Sequence, residues 1–133
     1  MNAVFADTFY FLGLWNRRDQ YANHVRAFSA EFRGQIITTD WVLIEVADAL
    51  ASSEVRDRTR DYFFILRNSP SVKVIEASCE LFDRGLNFFH RHNDKEWTLT
   101  DCTSFIVMRD LGIKEALTGD KHFEQARLVA LLK

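Results

Sequence analysis

Gly34-Gln35-Ile36-Ile37-Thr38-Thr39-Asp40-Trp41-Val42-Leu43-Ile44-Glu45-Val46-Ala47-Asp48-Ala49-Leu50 opens with a short β-branched run and passes, after one acid, into apolar residues at helical spacing. Residues 35–38 read as a strand and 41–51 as a helix, with Asp40 as its cap. The helix carries one polar stripe, Glu45, Asp48 and Ser52. Either that stripe is the solvated face, or the helix is mostly buried and Glu45 is a carboxylate in need of a partner or an ion.

The same alternation continues to both sides. Residues 2–6 form a strand ahead of an aromatic helix, Phe9 to Trp15, and a helix follows from Asp19, its N-cap, to Phe32. Residues 54–67 form a helix that stops at Asn68-Ser69-Pro70, and 72–75 form a strand. Helices then span 77–92 and 101–111, the second capped by Thr100 and ended by Gly112. A strand at 115–118, a short helix at 121–126 and a strand at 128–132 complete the pattern. Strands separated by helices define an α/β fold, a central mostly parallel sheet of about five strands flanked by helices. With 133 residues, one proline and no repeat, the expectation is a single domain over 1–133.

In such folds ligands gather beyond the carboxyl ends of the strands. Asp7 ends the apolar run Ala3-Val4-Phe5-Ala6, Asp120 follows Glu115-Ala116-Leu117-Thr118-Gly119, and Asp101 stands at the start of a helix. Each has a plainer reading: Asp7 and Asp120 as turn or capping residues, Asp101 as a complement to the helix dipole. Together with Glu45 they form a different object. Four crowded carboxylates cannot all ionise at neutral pH without a cation among them, and a hard divalent ion with oxygen ligands answers that need.

Composition narrows the class. The chain is 47% apolar and 27% charged, which excludes disorder, and no apolar run approaches the roughly 20 residues of a membrane-spanning helix. The opening Met1-Asn2-Ala3-Val4-Phe5-Ala6-Asp7 lacks a basic region before its first acid, so no signal peptide is expected and the cytoplasm is the expected location. Cys79 and Cys102 lack metal-ligand spacing and read as buried, reduced thiols. Net charge is −2, yet with the four acids set aside 17 Lys and Arg face the other 15 of the 19 acids. A nucleic-acid partner is therefore compatible with the charge, as is an ordinary mixed surface. His24, His90, His92 and His122 read as surface or local hydrogen-bonding residues. Residues 54–61 alternate in sign as an exposed, salt-bridged helix does. Tyr62-Phe63-Phe64 and Phe88-Phe89 read as core or dimer interface. Glycine-rich nucleotide-binding motifs and the G-x-S-x-G nucleophile motif are absent.

The stretch Trp97-Thr98-Leu99-Thr100-Asp101-Cys102-Thr103-Ser104-Phe105-Ile106-Val107-Met108, followed by Ala116-Leu117-Thr118-Gly119-Asp120-Lys121-His122-Phe123, resembles the PIN-domain family of nucleases, which includes the VapC-type toxins. Phe5-Ala6-Asp7-Thr8 and Thr38-Thr39-Asp40-Trp41-Val42-Leu43-Ile44-Glu45 are similar to the family's first two motifs in order and spacing, so the resemblance spans nearly the whole chain. It implies a PIN fold and a ribonuclease with Mg²⁺ or Mn²⁺ held by Asp7, Glu45, Asp101 and Asp120. Thr8 and Ser104 are implied as polar neighbours that support the acids or position water. It also implies an RNA substrate, a small antitoxin protein as partner, and often a homodimer. One departure stands out: after Ala126 relatives usually continue with Gly-Phe, whereas Arg127-Leu128 follows here, with an altered turn into the last strand expected.

Two other functions fit parts of the pattern. A PIN fold that keeps its acids but acts by docking a partner would need no catalysis. A phosphoacceptor signalling domain would gather acids and Mg²⁺ at strand ends, but would want paired acids on the first strand and a lysine after a late one, for which only Lys121 is near. A haloacid dehalogenase-type phosphatase would place an acid where Phe9 stands.

Overall fold

The computed structural model describes residues 2–133. Its strands are β1 (Ala3–Ala6), β2 (Gln35–Thr39), β3 (Val72–Ile75), β4 (Glu115–Leu117) and β5 (Val129–Ala130). Its α-helices are α1 (Thr8–Trp15), α2 (Ala22–Glu31), α3 (Asp40–Ala49), α4 (Thr59–Arg67), α5 (Cys79–Arg91), α6 (Leu99–Leu111) and α7 (Lys121–Gln125). All four strand pairings are parallel and the order is β3-β2-β1-β4-β5. The chain builds outward from β1 to β2 and β3, then crosses back to lay β4 on the other side of β1. That reversal opens a crevice beyond the carboxyl ends of β1 and β4, where ligands bind in open parallel sheets. No helix among the described residues is long and apolar enough to cross a membrane.

β1 is central and reads as a continuous apolar run because both its faces are covered: Val4, Phe5 and Ala6 are wholly buried. The helix α6 is enclosed to the same degree, with every residue from Asp101 to Met108 buried. Close packing against α5 is possible because a Cβ on Gly85 would stand 2.6 Å from Thr103 Cγ2. Glycine therefore lets the two backbones approach, and the approach buries the polar side chains of α6's first turns.

Several boundaries differ from the sequence reading, and in each case a local hydrogen bond decides. Asp19 does not cap α2; its carboxylate accepts from the Tyr21 amide at 2.8 Å, in a turn ahead of a helix that starts at Ala22. Thr39, not Asp40, caps α3, its hydroxyl accepting from the Val42 amide, while Asp40 pairs with Arg67 and accepts from the Ala77 amide. Thr98, not Thr100, caps α6. The helix expected from residue 54 begins as a 3₁₀ turn, Arg56–Arg58, before α4. The last strand is only Val129–Ala130.

Side-chain placement brings further corrections. Cys102 is buried as expected, but Cys79 is exposed at the first turn of α5. α3 is less enclosed than its composition implies, since Ile44 is 55% exposed, and Ser52 lies beyond its end. The aromatic cluster of α4 divides: Tyr62 stacks on Trp15 at 5.1 Å, whereas Phe64 is largely exposed.

Candidate metal centre

Asp7 follows β1 and stands at the N-cap position of α1, but makes no side-chain capping bond. Its carboxylate turns inward instead: Oδ2 accepts from the Thr118 hydroxyl at 2.9 Å, and the residue is 5% exposed. Burial pushes its pKa from the ordinary carboxylate range up to about 7, with the charge of Asp101 adding to the rise and that of Glu45 contributing less. The adjacent Thr8 amide and the Thr118 hydroxyl oppose that rise.

Asp101 occupies the third position of α6 and completes a capping box with Thr98. Its Oδ2 accepts from the Thr98 amide at 3.1 Å and lies 2.9 Å from His122 Nδ1. A carboxylate facing an imidazole at that distance accepts, so Nδ1 carries the hydrogen of this bond. Asp120 caps α7 through Oδ1, which accepts from the His122 amide at 2.9 Å. The plain capping reading of Asp120 thus holds, while Asp101, read as a complement to the helix dipole, takes part in a capping box, and each arrangement accounts for one oxygen. Asp101 Oδ1 and Asp120 Oδ2 have no hydrogen-bond donor among the described residues.

Glu45, on α3, is partly exposed, and its Oε1 accepts from the Thr8 hydroxyl at 2.5 Å. Thr8 follows Asp7 directly, so the two acids are linked through neighbouring residues of one chain. Ser104 lies one turn beyond Asp101 on α6, is wholly buried, and its Oγ has no hydrogen-bond partner. That is an orphaned polar atom on the same helix face as Asp101.

Asp7 and Asp101 are thus both buried, with the charge of Asp101 felt at Asp7, and Glu45 is tied to Thr8. Ligand atoms of Asp101, Asp120 and His122 lie within 4.8 Å of one another. Two residues beside these acids were not among the candidate site residues: His122, read as a surface or local hydrogen-bonding residue, and Thr118. His122 grips both flanking acids, one by its amide and one by its ring; the signal was its place two residues after an acid at a strand end. Thr118 joins Asp7 to Asp120, donating to the first and accepting from the second's amide at 3.1 Å. Its signal was a hydroxyl where a buried strand gives out.

The residues whose ligand atoms meet, Asp101, Asp120 and His122, offer carboxylate oxygens that suit a hard divalent cation; Asp7, buried and forced toward its protonated form, and Glu45 lie outside that group. The imidazole widens the range to cations that also accept nitrogen.

The sheet is all-parallel and reverses at β1, and the acids that follow β1 and β4 flank the crevice this reversal opens. The chain belongs to the PIN-domain family, whose model matches residues 4–128. Among curated proteins it is similar to the 23S rRNA-specific endonuclease VapC20 of Mycobacterium tuberculosis, at 28% identity over 126 residues and 95% of both chains. The crystal structure of that VapC20, described as a sarcin-ricin loop cleaving toxin, superposes with a TM-score of 0.86 at 26% identity, covering 96% of this chain and 98% of the other. FitAcB from Neisseria gonorrhoeae shares the fold, with a TM-score of 0.63 at 14% identity over 96% and 95% of the two chains.

Proposed function

We propose that this chain is a divalent-metal-dependent endoribonuclease of the VapC type, hydrolysing RNA phosphodiester bonds in the cytoplasm as the toxin of a toxin-antitoxin pair. The observation that carries the reading is the cluster of Asp101, Asp120 and His122, whose ligand atoms lie within 4.8 Å of one another, together with Asp7, a second buried carboxylate that the charge of Asp101 reaches. Burying two mutually repelling carboxylates lowers stability unless a cation joins them. Likeness to an rRNA-specific endonuclease over 95% of both chains supports RNA as substrate, and the same likeness favours a structured ribosomal loop.

In this reading Asp7, Asp101 and Asp120 hold Mg²⁺ or Mn²⁺, and Glu45 holds a second ion or orients the attacking water. The bound cation supplies Lewis acidity to the scissile phosphate and lowers the pKa of a coordinated water. Thr8 fixes the Glu45 carboxylate by donating to Oε1, leaving Oε2 to accept a proton from water. The Thr98 amide and His122 ring occupy Asp101 Oδ2, so Oδ1 is the oxygen left to face a ligand. Ser104 has a free buried hydroxyl with which to hold a water at the site. A small antitoxin protein and a second copy of the chain are the proposed protein partners, and residues 1–133 act as one PIN unit.

The test is cleavage of ribosomal and unstructured RNAs by purified protein with Mn²⁺, Mg²⁺ or EDTA, beside Asp101→Asn. Cutting that needs metal and disappears in the variant is the expected outcome. Metal binding without cutting of any RNA would transfer the assignment to a partner-docking PIN protein.

A further inference from the structure

A second charged region lies on the β5 flank. Backbone pairing of the Val129 amide with the Lys114 carbonyl at 2.9 Å brings the start of β4 beside the turn that leads into β5. There a concavity of about 240 Å³ is lined by apolar side chains, among them Phe88 and Met108, and by three cations, Arg109, Lys114 and Arg127. Arg91 adjoins them, since the guanidinium groups of Arg91 and Arg109 lie 5.9 and 6.0 Å from the centre of the Phe88 ring. All four cations are exposed, and none is in an ion pair with a carboxylate among the described residues. Asp110, beside Arg109, pairs with Arg84, and Glu124 pairs with Lys133; Glu115, next to Lys114, is half-buried and makes no ion pair among the described residues. On a chain of net charge −2, this flank gathers four cations that no direct ion pair among the described residues neutralises.

Arg127 gives an independent sign. It is the one non-glycine residue with positive φ among those described, at +65°. Glycine would adopt that backbone without penalty, so the turn does not call for arginine; it holds arginine against a local steric cost. What arginine brings and glycine lacks is a cationic side chain at the concavity.

We propose that Arg91, Arg109, Lys114 and Arg127 form a phosphate-binding flank that engages the RNA backbone away from the scissile bond. The inference rests on the ribonuclease reading and adds to it a basis for selecting large, folded substrates. The spacing suits this. Eight residues of α6 separate Asp101 from Arg109, about 12 Å of rise, which a helical strand covers in roughly four phosphates. A short oligonucleotide at the carboxylates would not reach the flank; a stem-loop would. The Phe88 ring lies about 6 Å from both the Arg91 and the Arg109 guanidinium groups and so links the two cations on this flank.

The test uses the double variant Lys114→Ala, Arg127→Gly, which leaves the acids and their partners untouched. Binding of a labelled ribosomal stem-loop is followed by anisotropy in EDTA across a salt series, and cleavage of the stem-loop and of a trinucleotide is followed with Mn²⁺. The slope of log affinity against log salt should fall in magnitude by about two, since each phosphate contact contributes about 0.9. Stem-loop affinity at low salt should drop by roughly tenfold or more, while trinucleotide cleavage keeps the wild-type rate. An unchanged slope would overturn the inference and leave the nuclease standing. Equal loss on both substrates would overturn it too, by placing the effect at the acids. Wild-type protein that neither binds nor cuts RNA would remove the ribonuclease reading itself, and this inference with it.

Discussion

At the scale of single residues, the site is governed by what each carboxylate oxygen already does. Asp7 is the extreme case, because its ionised form has little water and a like charge nearby. Its folded pKa of about 7 lies above the unfolded value of 3.8, so the native state holds the proton more tightly. Metal-free stability therefore falls as pH rises from about 4 to about 7, by up to about 1.4 kcal/mol per unit, and levels off above that. Asp7→Asn removes the titration: the variant should unfold at a higher temperature than wild type at pH 8 without metal, converge with it near pH 4, and cut no RNA. Thermal melts across pH read this directly, and parallel wild-type and variant curves would refute it. His122 is the second residue to test. His122→Ala should weaken Mn²⁺ binding by roughly 10- to 100-fold, in the manner of a lost ligand-orienting contact, and His122→Asn, which can still offer an N–H to Asp101, should restore much of it. Isothermal titration with Mn²⁺ separates the two.

At the scale of elements, α6 is the part on which the site depends. It is buried along its first two turns, and its start is set by a box of two reciprocal bonds between Thr98 and Asp101. Thr98→Ala should lower stability by about 1 kcal/mol and also leave Asp101 less firmly oriented, which chemical denaturation and Mn²⁺ titration measure together. Gly85→Val drives a branched side chain into Thr103 and forces α5 away from α6. A loss of roughly 2–3 kcal/mol is expected in urea unfolding, despite the better helix propensity of the new residue. These elements also show what a sequence conveys. α6 is apolar enough to be legible as a helix, but its first residue was misjudged because Thr98 and Thr100 are both good caps. Only the reciprocal bond to Asp101 selects between them. Cys79 looked buried because its neighbours are apolar, whereas it occupies the exposed first turn of α5.

At the scale of the molecule, strand order converts scattered acids into a site. Asp7 and Asp101 are distant in sequence, and it is the return of the chain to the far side of β1 that puts β4, and with it Thr118 and Asp120, beside Asp7. A cation bound there should stabilise the whole fold, since it binds the native arrangement and not the unfolded chain. With Asp7 as a ligand, as proposed, binding would displace its proton, and the rise in melting temperature with saturating Mn²⁺ should be larger at pH 8 than at pH 5.5. A metal-induced shift independent of pH would show that Asp7 lies outside the cation's reach. The alternation of strands and helices and the parallel sheet were legible in the sequence by itself, as was the position of Asp7 and Asp120 at strand ends, because periodicity and strand-end position depend on local residue order. His122, Thr118, the orphaned Ser104 hydroxyl and the cations gathered around Arg127 were decided only by tertiary structure. Their partners come from remote segments, and whether a polar side chain is a cap, a clamp or a free surface charge depends on what the fold packs against it.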